Sequence, residues 1–238
     1  MTCQSIVRDN KPVSPSSRLK CRSQVYPYMC IRGFRYVYLS MSEHDAFLHV
    51  LKAGESAGQA NAPLFLDIGC CSKLLSHHPA RPSGVTCSCI VGTDLRHLVQ
   101  SGYPSTSVLG CDLQSEFIDL GHTLYGDRDT CQIPFFVGDI LDVALLPFPQ
   151  AADESLKDIR GLNELRGRVK YIYAGSLFHL FDEGTQEAIA RRIATLLDVS
   201  DGNAAVVFGK HVGKAEEGLI DDPRGRYVRQ FIEVWLMI

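Results

Sequence analysis

Five short apolar runs, separated by stretches with helical spacing, constrain the fold of this 238-residue chain more than any other feature. Continuous hydrophobicity over four to eight residues is typical of strands buried on both faces of a parallel sheet. The runs occupy residues 64–69, 106–113, 134–140, 169–176 and 204–212. Helices are predicted at 43–53, 115–126 and 182–197. The alternation predicts an α/β fold with a doubly wound, mostly parallel sheet covered by helices on both faces.

The remaining segments suggest one domain over residues 26–238, preceded by a loose segment at 1–25 that is rich in Ser, Pro and basic residues. YPYMCIRGFRYVYLSM, residues 26–41, is aromatic and basic, which predicts a segment packed on the body or folded over a ligand. GESAGQANAP, residues 54–63, is predicted to be a linker because Gly and polar residues dominate it.

The residues that end the predicted strands are the first candidates for a binding site, because ligands bind at the carboxyl ends of parallel strands. These candidates are Asp67, Gly69, Asp112, Asp139, Gly175 and Ser176. A glycine there lets the backbone approach a ligand, and a carboxylate after the second strand can accept both ribose hydroxyls. A carboxylate after the third strand can accept an adenine amino group. The alternatives are a solvated acid or helix cap at Asp112 and a turn aspartate at Asp139.

A long interruption separates the first strand from the next helical stretch. LFLDIGCC ends in a glycine turn and GTDLRHL begins a helix, whereas residues 73–91 between them contain paired prolines, HH and CSC without periodicity. A turn that approaches a ligand must be tight, so this stretch has no evident place in it. It is either foreign to the fold or a surface loop that lets Gly92 return to the site.

Composition excludes several classes of protein. The net charge of −3 and pI near 6.2 give no basic footprint for nucleic acid. No apolar run approaches the roughly 20 residues that a membrane helix needs, and the N-terminus lacks the apolar core of a signal peptide. We therefore expect a cytoplasmic protein without nucleic-acid or membrane partners.

Nine cysteines, an odd number, predict reduced thiols rather than a disulfide framework. A zinc site is disfavoured because the cysteines of the interruption occur as CC and CSC rather than at the spacing that zinc ligands use. The residues weighed for zinc are Cys70, Cys71, His77, His78, Cys87 and Cys89. No metal site is predicted.

Several blocks together resemble a known family. FLDIGCC, VLGCDLQSEFIDLGHTLYGD, FVGDI and YIYAGSLFHLFDEGTQ, in this order, are similar to class I S-adenosylmethionine (SAM)-dependent methyltransferases. More narrowly, with YPYMCIRGF and GTDLRHLVQSGYP they resemble fungal methyltransferases of meroterpenoid and polyketide gene clusters. The resemblance implies a Rossmann-like fold, SAM as cofactor and a small-molecule metabolite as acceptor. It also adds Leu113, Gly138 and Ile140 to the candidate cofactor-binding residues.

The family pattern gives the interruption a specific interpretation. There the turn has the form GCC-x-G-x-D-L-R, and removing residues 73–91 from this chain leaves DIGCCSGTDLRHL, which restores it. We hypothesise that 73–91 is a retained intron or another gene-model error. The family fold also ends in an antiparallel hairpin, and DDPRGRYVRQFIEVWLMI leaves little room for it. We expect part of the hairpin to be missing and an edge of the sheet to be unpaired.

The reacting acceptor oxygen has one candidate base. His179, in GSLFHLF after the fourth strand, is predicted to orient or deprotonate it; the alternative is a histidine at a helix start packing against Phe178 and Phe181. Tyr26, Tyr28 and Arg32 either cover the ligand or pack as ordinary aromatic and basic residues. Arg96 either meets a carboxylate or lies on a solvated helix face.

Three functions compete at this point. The first is O-methylation of a hydroxyl or carboxyl of a secondary metabolite. The second is a nicotinamide-dependent oxidoreductase, although the turn is not G-x-G-x-x-G and no Tyr-x-x-x-Lys pair is present. The third is a methyltransferase fold that has lost catalytic competence through the interrupted turn. The acceptor and the oligomeric state, a homodimer included, are left open by the sequence.

Overall fold

The computed structural model describes residues 39–69, 92–145, 156–178, 181–211, 218–219, 227–228 and 233–237. A six-stranded sheet with the order β3-β2-β1-β4-β5-β8 organises them. The strands are β1 Phe65–Ile68, β2 Val108–Asp112, β3 Phe135–Val137, β4 Tyr171–Tyr173, β5 Val206–Lys210, β6 Gly218–Leu219, β7 Tyr227–Val228 and β8 Glu233–Met237. The first five are parallel, and β6 and β7 form a separate antiparallel pair. The predicted doubly wound, Rossmann-like sheet is confirmed, with each of the five predicted apolar runs containing one parallel strand.

In the described part of the chain, four α-helices accompany the sheet: α1 Ala46–Asn61, α2 Thr93–Gln100, α3 Ser115–Tyr125 and α4 Glu183–Leu196. Three were predicted at about these positions and the start of α2 was expected at GTDLRHL. The linker predicted at 54–63 is wrong, because α1 continues to Asn61 with one interruption at Gly58, where φ is 68°. A β-carbon on Gly54 would overlap the Tyr103 ring. Gly54 therefore allows α1 to pack closely against Tyr103. From composition alone, the same glycine indicates a linker.

The two faces of the sheet carry separate apolar layers. Alternate residues of one strand point to opposite faces, so Phe65 joins one layer and Leu66 the other. The first layer contains buried residues of α1, α2 and α3, among them Phe47, Leu95 and Phe117. The second contains Ile189, Ile193 and Leu196 of α4. We call the first the α1-side layer and the second the α4-side layer. The helices thus cover both faces, and the strand ends are left as the place where ligands can approach.

The last strand changes one expectation about the C-terminal region. β8 pairs antiparallel with β5, from Val206 opposite Met237 to Lys210 opposite Glu233. The β5 edge that the short tail was expected to leave unpaired is therefore paired. Within the described ranges, every helix is too short or too polar to cross a membrane.

Candidate functional site

The carboxyl ends of β1, β2 and β3 are joined by backbone hydrogen bonds around Cys111. Gly69 N–H donates to the Cys111 carbonyl at 2.6 Å, and Gly138 N–H donates to the Asp112 carbonyl at 3.0 Å. Cys111 Sγ lies 3.5 Å from the Gly138 carbonyl oxygen. Three residues predicted from separate motifs (Gly69, Asp112 and Gly138) are therefore neighbours at one edge of the sheet.

The contact between Gly69 and Asp112 requires a glycine. A β-carbon on Gly69 would lie 2.6 Å from Asp112 Oδ2 and 2.6 Å from the Cys111 carbonyl oxygen, well inside van der Waals contact. Asp112 is 6% exposed, and its Oδ1 accepts the N–H of Gln114 at 2.8 Å. This local bond fixes the direction of the carboxylate. The glycine turn and the acid after β2 thus form one structural unit.

Three carboxylates make this edge electronegative. Burial raises the pKa of the Cys111 thiol, and the charges of Asp112, Asp67 and Asp139 raise it further. All three acids are therefore close enough to act on one sulfur atom. Asp67 is 3% exposed. A cationic ligand would be favoured here, and a bound anion would be opposed.

The residues after β3 form a capped turn. Asp139 Oδ1 accepts the N–H of Leu141 at 2.9 Å and begins the short helical turn Ile140–Asp142. The Ile140 side chain is 4% exposed and belongs to the α4-side layer, whereas Leu113 is half-buried. Asp139 therefore does act as a turn aspartate, as the alternative interpretation proposed. The hydrogen bond to Leu141 keeps its carboxylate at the end of β3.

The end of β4 contains an unusual backbone conformation. Ser176 has φ 59°, a left-handed value that non-glycine residues adopt at a cost of about 1–3 kcal/mol. Its N–H donates to the Lys210 carbonyl at 2.8 Å, which ties the end of β4 to the end of β5. A β-carbon on Gly175 would lie 2.6 Å from the Tyr173 hydroxyl oxygen. Gly175 and Ser176 therefore form a second, tightly fixed part of the same edge.

Beyond the interruption, the chain returns to this edge at Gly92. Gly92 precedes α2 and has φ 65°, and a β-carbon there would lie 2.7 Å from the Phe135 ring and 2.8 Å from Arg96 Nη1. Only glycine fits both the conformation and the space. The position that the family pattern assigns to the second turn glycine is therefore occupied by a residue that must be glycine. Residues 73–91 lie outside the described residues.

Comparison with curated proteins now bears on the identity of the chain. It is 30% identical over 214 residues to O-methyltransferase phiE from Fungal sp. (strain ATCC 74256), covering 89% of this chain and 58% of that protein. It is 30% identical over 189 residues to O-methyltransferase atr3 from Stereocaulon alpinum, covering 79% and 43%. It is 26% identical over 209 residues to the Asnovolin E/Chermesin D methyltransferase nvfJ from Aspergillus novofumigatus, covering 88% and 61%. The chain is a homologue of fungal secondary-metabolite methyltransferases.

The resemblance seen in the sequence motifs is thereby confirmed. The methyltransferase homologue spans about half the length of the curated relatives it matches, 58% and 43% of the first two. No protein-family model matches it. Among solved structures, magnesium protoporphyrin IX methyltransferase from Synechocystis PCC 6803 with bound SAM gives a TM-score of 0.45 at 13% identity, covering 91% of this chain and 78% of that one. The fold assignment rests on the strand order and not on this distant likeness.

Arg96 of the methyltransferase homologue is an internal anchor. The solvated helix face considered for it is wrong, because the side chain is 6% exposed. Its Nε and Nη2 donate to the two Asp127 oxygens at 2.6 and 3.1 Å, and the guanidinium lies over the rings of Tyr125 and Phe135. Arg96 Nη1 also donates to the Gly92 carbonyl at 3.2 Å. The carboxylate that Arg96 meets is thus a protein group, and the contact fixes the start of α2.

One group of three potential metal ligands is found within the described part of the chain: His122, Asp127 and Cys131. The Arg96 guanidinium already holds Asp127 with two hydrogen bonds, and its positive charge opposes a cation. Burial raises the pKa of the Cys131 thiol, which opposes the thiolate that a metal requires. We assign the cluster to the anchor of Arg96. The cysteines and histidines weighed for zinc lie outside the described residues.

The structure does not test the predicted base or the predicted covering residues. His179, Tyr26, Tyr28 and Arg32 lie outside the described residues, so their roles stay predictions. Sequence reasoning missed two residues near the site. His211 follows β5, and its ring meets that of Phe178 edge-on with centroids 5.3 Å apart. Asp94, in the first turn of α2, is 1% exposed; the order GTDLRHL showed an acid there, but nothing in it predicted burial.

Proposed function

We propose that this chain is a SAM-dependent methyltransferase that transfers the methyl group to an oxygen of a small-molecule secondary metabolite. The observation that supports the proposal most is the joined edge of β1, β2 and β3, where Gly69 leaves room for the Asp112 carboxylate and Asp139 stands beside them. Homologues named as methyltransferases point to the same reaction.

The donor set fits the cofactor. Asp112 would accept the ribose hydroxyls and Asp139 the adenine amino group, with Leu113, Gly138 and Ile140 forming the wall between them. Gly69, at the end of β1, would lie beside the amino-acid part of SAM, because a turn without a side chain lets the backbone approach a ligand. SAM has a net positive charge, because its sulfonium and ammonium outnumber its one carboxylate. The three carboxylates around Cys111 favour such a ligand, and Gly175 and Ser176 would close the same edge from β4.

SAM supplies an activated methyl group on an excellent leaving sulfur. The protein has to hold the acceptor oxygen in line with the S–CH3 bond and exclude water. With SAM bound, the acceptor oxygen would supply the electron pair of the new O–CH3 bond, and sulfur would keep the electron pair of the broken bond. A carboxylate acceptor is already ionised and needs no base, whereas a hydroxyl must give up a proton. His179 is the residue we propose to take that proton.

Calorimetric titration with SAM is the first test. We expect a chain lacking residues 73–91 to bind SAM at one site, and to bind it more tightly than the chain as it stands, because the deletion restores the tight turn between Gly69 and Gly92. Equal affinity would make 73–91 a tolerated loop. If neither chain bound SAM the methyltransferase proposal would fail, and binding of a nicotinamide dinucleotide instead would establish the competing oxidoreductase function.

A His179→Ala variant separates the two acceptor classes. With a hydroxyl acceptor we expect turnover to fall by a factor on the order of 10² or more, since a general base contributes that much. With a carboxyl acceptor we expect turnover to be unchanged. The assay follows transfer of labelled methyl from SAM to panels of phenols, alcohols and carboxylic acids. His49→Ala is the matched control, because His49 is exposed on α1 and its ring meets that of Tyr171 at the start of β4, away from the carboxyl ends of the strands.

A full rate with a hydroxyl acceptor would remove His179 from the mechanism. His211, next to Phe178 after β5, would then be the next histidine to replace.

A further inference from the structure

A buried carboxylate joins the residues before α1 to the start of α2. Asp94 is 1% exposed, and its Oδ1 accepts the N–H of Met41 at 3.2 Å across 53 residues of sequence. Burying a carboxylate costs free energy unless hydrogen bonds replace its hydration. The N-terminus of α2 offsets part of that cost through the helix dipole. Through its Oδ1 the carboxylate also fixes the backbone of Met41.

The segment held by Asp94 is partly buried, with Met41, His44 and Ala46 inside and Glu43 and Asp45 exposed. Met41 is fully buried in the α1-side layer, and its carbonyl accepts the N–H of His44 at 3.1 Å. His44 Nδ1 accepts the N–H of Ala46 at 3.1 Å, which starts α1. Residues 41–46 therefore form a compact turn, which we call the α1 entry turn.

The α1 entry turn also contacts the end of β5. The His44 ring lies against Phe208 with centroids 5.1 Å apart. Glu43 Oε2 pairs with Lys210 Nζ at 3.0 Å. Since β4 lies between β1 and β5 in the sheet, the turn reaches from the helix after β1 to a strand on the far side of β4.

The two residues that the α1 entry turn contacts through polar groups, Asp94 and Lys210, adjoin the candidate site. Asp94 is two residues after Gly92, the glycine at which the chain returns to the site. Lys210 accepts the N–H of Ser176 through its carbonyl. The turn thus connects the part of the site made by β1 and α2 with the part made by β4 and β5.

We propose that Asp94 is a positioning residue for the methyl transfer: it holds the α1 entry turn against the first turn of α2, so that SAM binding and docking of the turn stabilise each other. The coupling rests on the proposed function, whereas the docking itself does not. Linkage makes the effect reciprocal: whatever loosens the turn weakens SAM binding by the same factor by which SAM tightens the turn.

Hydrogen exchange and calorimetry on the same proteins test the proposal. In an Asp94→Ala variant we expect amides of residues 41–47 to exchange faster even without ligand, because the Met41 N–H loses its acceptor. We expect the Kd for SAM to rise by about tenfold, within the 5- to 150-fold range of ordinary coupling. In the unaltered chain SAM should slow exchange of these amides, and in the variant that slowing should be lost.

A Ser105→Ala variant is the matched control. Ser105 is 8% exposed and donates to Gln132 Oε1 at 2.9 Å, so its replacement also removes one largely buried side-chain hydrogen bond. It precedes β2 and so lies at the opposite edge of the sheet. We expect this variant to leave both the exchange of residues 41–47 and the Kd for SAM unchanged. If Asp94→Ala does not fold, Asp94→Leu replaces it, because leucine keeps the branched shape of the side chain and offers the Met41 N–H no acceptor.

Unchanged exchange in the unliganded variant would show that Asp94 does not dock the α1 entry turn, and the inference would fall. Faster exchange with an unchanged Kd would confine Asp94 to local structure and overturn the coupling. If neither the unaltered chain nor the chain lacking residues 73–91 binds SAM, the proposed function fails separately, and exchange without ligand alone decides whether Asp94 docks the turn.

Discussion

Replacing Asp112 by alanine is expected to raise the Kd for SAM by roughly 100-fold or more. Each hydrogen bond to a charged group contributes about 1.5–3 kcal/mol, and both ribose hydroxyls would lose their acceptor at once. The carboxylate is fixed by the Gln114 N–H and stands where Gly69 makes room for it. Calorimetric titration of the variant and the unaltered chain measures the change.

The control for this variant is Asp119→Ala. Asp119 is an acid of α3 whose side chain is 62% exposed and pairs with Arg128 at the surface, so SAM binding should not change. Because Asp112 also accepts a backbone N–H, thermal unfolding has to show that the variant is folded at the temperature of the titration. A folded Asp112→Ala protein with unaltered affinity would remove Asp112 from the cofactor site.

Breaking the Arg96–Asp127 pair should have the largest effect on stability. An Asp127→Ala variant leaves a guanidinium that is 6% exposed without its carboxylate, and losing one partner of a buried pair costs about 3–5 kcal/mol. Asp127 itself is 20% exposed, so we expect roughly 2–4 kcal/mol. Urea unfolding gives the difference. Asp119→Ala again serves as control, because an exposed pair contributes at most about 1 kcal/mol.

The same pair predicts how stability depends on pH. Burial alone would raise the pKa of Asp127, but hydrogen bonds and charge from Arg96, with a further contribution from His122, hold it below its usual value. A lowered pKa in the folded state means that the stabilisation is present above the unfolded value of about 3.9 and is lost as pH falls through the folded value. The difference in unfolding free energy between Asp127→Asn and the unaltered chain should therefore shrink at acid pH. A difference that stays constant down to pH 2 would contradict this account.

Local patterns in the sequence predicted the parallel strands and the acids that end them, because strand periodicity and strand-end position need no knowledge of distant contacts. Gly69 and Asp112 could be placed together on that basis. Arg96 could not be placed, since its partner Asp127 lies 31 residues away on another element. The burial of Asp94 could not be predicted for the same reason, because the N–H that it accepts belongs to Met41, 53 residues earlier in the chain. The helix within GESAGQANAP was not predicted because Gly54 packs against Tyr103, and local sequence does not show such a tertiary contact.

The anchoring of α2 has an evolutionary consequence. Gly92 and the first turn of α2 are held by Arg96 and Phe135 and by the contact with Met41, all of which lie outside the connection between β1 and α2. The helix therefore does not depend on the length of that connection for its position. Sequence can be gained or lost there, through a splicing change or a deliberate insertion, while the helix keeps its place.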